Sequence, residues 1–106
     1  MRSVPTTLNA AAESWFASHG LVVHATHFQF DHSFHAWRHY GDKRSVTLWI
    51  SQITVEDYEA RHILQMLENI DPEALMDEYR HVHVHVSSSE TGFGVHVRDA
   101  FAPSAS

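Results

Sequence analysis

The chain has no cysteine and only four glycines among its 106 residues. Without cysteine there is no disulfide framework, no thiolate zinc site and no thiol nucleophile. So little glycine leaves scant material for backbone cradles. No Gly-rich phosphate loop, His-Glu-x-x-His pair or Gly-x-Ser-x-Gly elbow occurs. No apolar run reaches the roughly 20 residues that cross a bilayer as a helix. Glu13 interrupts the apolar stretch after Arg2, so no signal peptide is expected, and the location is expected to be cytoplasmic. Bases are also scarce. Seven Lys and Arg stand against thirteen Asp and Glu, for a net charge of −6.

The acidity is one block. Eight acids lie between Glu56 and Glu78, opposed in that window only by Arg61. Such a block repels nucleic acid and favours a basic partner. Part of it has a plainer cause: Glu56, Asp57 and Glu59, then Asp71 and Glu73, fall in first helical turns, where the helix dipole favours acids. Eleven histidines form a second excess. Protonating all of them would move the formal charge from −6 to +5. The chain should therefore be charge-sensitive between about pH 5 and 7.

Periodicity predicts an α+β domain over residues 1–101, with 102–106 a disordered tail. Leu8, Ala11, Ala12, Trp15, Phe16 and His19 share one helical face, which Gly20 ends. Residues 21–30 read as a strand whose phase shifts near Ala25, as at a bulge. Residues 34–40 read as a second strand, with Phe34, Ala36, Arg38 and Tyr40 inward. A hairpin loop at 41–44 leads to a third strand, with Val46, Leu48 and Ile50 inward. A helix from Thr54 to about Ile70 follows, with Ile53 stapled on Tyr58, then a short helix capped by Asp71 with Pro72 in its first turn. Two strands close the chain. The expected fold is two-layer: an antiparallel sheet of about five strands with helices on one face, in the order α-β-β-β-α-α-β-β.

Residues 81–86 read His-Val-His-Val-His-Val. Strand alternation turns the valines to one side and His81, His83 and His85 to the other, about 6.6 Å of chain apart. The leading expectation is a solvent-facing sheet surface carrying histidine as its polar residue, which needs no cofactor. The alternative is a zinc, nickel or copper site of His81, His83 and His85, with a fourth ligand from His96 across the hairpin, or from Asp31 or Glu90. Two Glu-x-x-His pairs, Glu59 with His62 and Glu78 with His81, have di-iron spacing but lack the bundle that chemistry needs.

Trp37 and Trp49 fall opposite the inward residues of their strands and are candidate interface anchors. With Glu73, Asp77 and Glu78 they form the candidate protein-binding set. The expected function is a small acidic binding module, inhibitor-like or chaperone-like, that masks a partner's basic surface, with a homodimer possible and no nucleic acid or membrane bound. The element order is similar to that of small acidic type III secretion chaperones, without their closing helix. That resemblance implies a dimer that binds effector segments. Small acidic immunity proteins fit equally. The segment Val23-His24-Ala25-Thr26-His27-Phe28 resembles a strand of the two-histidine phosphoesterases. With His85-Val86-Ser87, it implies a second alternative, a small phosphodiester-handling enzyme using His24 and His85.

Overall fold

A computed structural model describes residues 6–29, 34–89 and 92–99. The expected tail and the candidate ligands Asp31 and Glu90 lie outside the described residues. Helix α1 (Thr6–Ser18) buries Leu8, Ala12, Trp15 and Phe16. It ends in a Schellman turn, in which the Leu21 N–H donates to Phe16 O (3.0 Å) and the Gly20 N–H to Ala17 O (2.9 Å). Gly20 takes φ +73°, which a side chain would oppose. Strand β1 is Ala25–Gln29 only. The phase shift read in the sequence is therefore not a bulge inside one strand. Leu21 and Val23 precede the strand and pack against the core independently of its alternation.

Strands β2 (Phe34–Gly41), β3 (Arg44–Ser51), β4 (His81–Ser89) and β5 (Gly92–Asp99) complete a sheet in the order β1-β2-β3-β4-β5. The sheet is mixed, which corrects the expected all-antiparallel pairing: β3 and β4 run parallel. The reason is the connection. Residues 52–80 carry the helices of a crossover over the sheet, and such a crossover returns the chain in its original direction. The crossover holds three helices where two were expected: α2 (Gln52–Asp57), α3 (Ala60–Leu67) and α4 (Pro72–Glu78). Ser51, not Thr54, caps α2; its Oγ accepts from the Thr54 N–H at 3.2 Å. Thr54 is buried, and Ile53 is 61% exposed and so is no staple. Tyr58 and Glu59 are extended and separate α2 from α3. Asp71 caps α4 as expected, accepting from the Glu73 and Ala74 N–H groups.

The helices and one sheet face share one core. Val46, Leu48 and Ile50 of β3 lie beside Val82, Val84 and Val86 of β4, all buried with α1 and α3 residues. The Trp15 indole N–H donates to Leu67 O (3.1 Å), tying α1 to the end of α3. Strand β2 is in the opposite phase to the expected one. His35, Trp37 and His39 pair with Ile50, Leu48 and Val46, so they sit on the helix-covered face. Trp37 is 0% exposed, and its indole N–H donates to Asn9 Oδ1 of α1 (2.9 Å). The hairpin loop sets this register. It contains only Asp42 and Lys43, since Gly41 pairs with Arg44. One residue of slip would turn every β2 side chain to the other face.

Candidate functional site

The second sheet face takes no part in that helix–sheet core. Its cross-strand rows follow from the register. One row runs Ala25, Arg38, Thr47, His83 and Arg98; the next runs His27, Ala36, Trp49, His85 and His96. Tyr40, Ser45 and His81 extend the face at one end, and Phe34 pairs with Ser51 at the other.

Trp49 organises the aromatic part. Its ring lies nearly parallel to that of His85, 6° apart with centroids at 5.7 Å. Its indole N–H donates to His83 Nδ1 (2.9 Å), which places the ring proton of neutral His83 on Nε2. Phe34 meets both Trp49 and His85 edge-on, at 6.3 and 5.7 Å. Arg38 organises the polar part. Its Nε donates to Thr47 Oγ1 (2.7 Å), its Nη1 reaches the Tyr40 hydroxyl (3.4 Å), and its Cζ stands 5.9 Å from the Tyr40 ring centroid. His81 Nδ1 is hydrogen-bonded to Ser45 Oγ at 2.7 Å. Trp49, Phe34, Arg38 and the three histidines are half-buried, and Tyr40 is exposed.

The expected binding set does not come together. Trp37 is core; its outward placement rested on the wrong strand phase. Trp49 does face outward. Glu73, Asp77 and Glu78 are exposed on α4, in the helix layer, while Trp49 belongs to the opposite face. Asp77 is also answered from within: Arg44, at the β2–β3 hairpin, bonds it at 3.1 Å. Lys43 and Arg80 line the same depression as Asp77 and Glu78. The acidic block is therefore less free to attract a basic partner than its spacing implies.

The histidine run lies as alternation predicts, with buried valines on one side and half-buried histidines on the other. The register sets His96 across from His85. Among the described residues no three His, Asp or Glu side chains are grouped to hold a metal ion. His24 and His85 are not brought together. His24 immediately precedes β1, and β2 and β3 intervene before β4, roughly 14 Å of sheet. His24 Nδ1 accepts from the Tyr40 backbone N–H (3.1 Å) instead. Glu59 pairs with Arg61 (2.7 Å), and its i+3 partner His62 is exposed.

The sequence reading missed Arg38, Tyr40 and Phe34 because it placed them inward. Counting the hairpin as a two-residue loop would have found them: Leu48 is inward, and that loop sets Trp37 beside it and Arg38 on the other face. Comparison with family models, curated proteins and solved structures finds no match. The arrangement itself offers aromatic rings in fixed orientations, a pinned guanidinium and hydroxyls. These are the materials of recognition; the face also holds a hydroxyl–imidazole pair, Ser45 with His81, whose serine is buried at 5% exposure.

Proposed function

We propose that the protein is a small binding module that masks a surface of a protein partner and acts through the helix-free sheet face. The observation that carries this reading is Trp49, held between His83, His85 and Phe34 at the middle of that face. Aromatic side chains fixed by their neighbours are favoured interface anchors, since little rotamer freedom is lost on docking. The acidic helix layer keeps the module soluble and contributes less to the contact.

Photo-crosslinking inside the producing cell tests this reading. A benzophenone side chain replaces Tyr40 on the face, or Glu73 on α4. The expected result is one discrete protein adduct from position 40, absent from position 73 and lost with Trp49→Ala. No adduct from position 40, or the same adduct from position 73, would remove the proposal.

One observation favours a second reading. With His96 across from His85, residues His81, His83, His85 and His96 occupy two adjacent strands, and zinc, nickel or copper could be their ligand. Untagged protein dialysed against micromolar metal decides it, because retention of no metal would eliminate the site.

A further inference from the structure

We propose that Arg38 is the hook of this face for a carboxylate, so that the segment it takes from a partner is acidic and not basic. The inference rests on the reading that the helix-free face is the binding surface, and it names the chemistry of the occupant.

The argument starts from how Arg38 is held. Thr47 is 0% exposed and is a fixed post for the guanidinium Nε. Tyr40 supports the planar group from the side. A guanidinium has five N–H donors, and these contacts use the Nε–H and one Nη1–H. The donors left belong to the two Nη groups, whose spacing matches the two oxygens of a carboxylate. No described carboxylate forms an ion pair with Arg38. A half-buried guanidinium held in one orientation with donors to spare is prepared for a carboxylate, because little freedom is lost when it pairs.

Charge among the described residues points the same way. No acidic residue occupies any paired position of this face from β1 to β5. Glu13, Glu56, Asp57, Glu73, Asp77 and Glu78 lie on the helices, and Glu59, Glu68 and Asp71 cap them. Asp42 sits in the hairpin loop, and Asp99 pairs with Val82 of the covered face. Arg38 shares its cross-strand row with Arg98, and the aromatic row of Trp49 lies beside it. An acidic segment with aromatic residues complements both rows. A basic segment would meet like charge here.

The test uses the full chain, isotope-labelled, with amide and indole NMR signals followed near neutral pH. The probes are a random glutamate–tyrosine copolymer, a lysine–tyrosine copolymer and a single-stranded oligothymidylate. The expected result is that the glutamate–tyrosine probe shifts the Trp49 indole and the β2–β4 amides. Arg38→Met should weaken that binding roughly 10-fold or more while keeping the aliphatic stem in place. Arg38→Lys should restore it in part, since a point charge does not reproduce the planar fork. Reversal of Glu73 and Glu78 to lysine should leave it unchanged. Equal shifts of this face by the lysine copolymer, or unweakened binding by Arg38→Met with the fold intact, would overturn the proposal. So would preferential binding of the oligothymidylate, in favour of phosphate. If no probe touches the face while crosslinking at position 40 still captures a partner, the carboxylate hook alone fails. If both fail, the reading of the face falls with it.

Discussion

At the scale of single residues, the two strand tryptophans separate what holds the protein together from what it offers outward. Both are large and aromatic and sit on adjacent strands, yet one residue of register decides their roles. Trp37 fills the space between β2 and α1 and has its indole N–H satisfied by Asn9. Trp37→Ala removes a fully buried ring and should cost about 3–5 kcal/mol in urea unfolding. Asn9→Ala leaves that indole N–H without its acceptor in the interior and should cost about 1–3 kcal/mol. Trp49 is half-buried, so Trp49→Ala should cost well under half of the Trp37 value while abolishing capture of the partner. Equal destabilisation by the two alanine variants would show that Trp49 is a structural residue. Gln52 provides a related internal check. It reaches from α2 to the fully buried His35 on β2, so the covered face holds a polar contact that the alternation pattern alone does not reveal.

At the scale of elements, the break between α2 and α3 carries the sharpest test. Val55, Tyr58, Ile63 and Leu67 have spacings that a single helix accommodates, and neither glycine nor proline marks a stop. Tyr58 nevertheless lies at φ −129°, ψ 142° and Glu59 at φ −71°, ψ 151°. The second of these φ values is one proline adopts unaided, and the first is what a residue before proline prefers. Glu59→Pro would cost about 3 kcal/mol or more in a continuous helix. In this fold it should change stability by no more than about 1 kcal/mol, because the ion pair it removes, with Arg61, is exposed to water. Thermal unfolding of the variant distinguishes the two. The same contrast shows what the sequence made legible. Alternation in Val46–Ile50 and Val82–Val86 located β3 and β4 and their buried sides, and Asp71-Pro72 located the start of α4. The phase of β2 was hidden because Ala36 and Tyr40 suit an inward side as well as His35 and His39 do, so only the loop length decides. The parallel pairing of β3 with β4 was hidden because it is fixed by the whole crossover and by no local signal. Half of the candidate site was therefore visible, as the histidine row and Trp49, and the half containing Arg38 was not.

At the scale of the whole molecule, charge is sorted by layer. The helices and their caps carry most of the acids, and among the described residues the helix-free face carries arginine and histidine without acids. Folding thus turns a block in the sequence into an asymmetry in space, and net charge and local charge then do different things. Net charge governs solubility, which should pass through a minimum near the pI of about 5.9 while near-ultraviolet circular dichroism stays unchanged. Glu73→Lys combined with Glu78→Lys would move the formal charge from −6 to −2. Both positions are exposed, so stability should shift by no more than about 0.5 kcal/mol. The solubility minimum should move to higher pH, toward neutrality. Asp77→Lys differs, because it sets two cations against each other at the hairpin; it should cost a little more, up to about 1 kcal/mol. If the double variant moves the solubility minimum but leaves binding at the sheet face intact, the acids serve solubility and the face serves recognition. If binding is lost along with the acids, the two layers work as one surface and the sorting of charge has no separate role in choosing the partner.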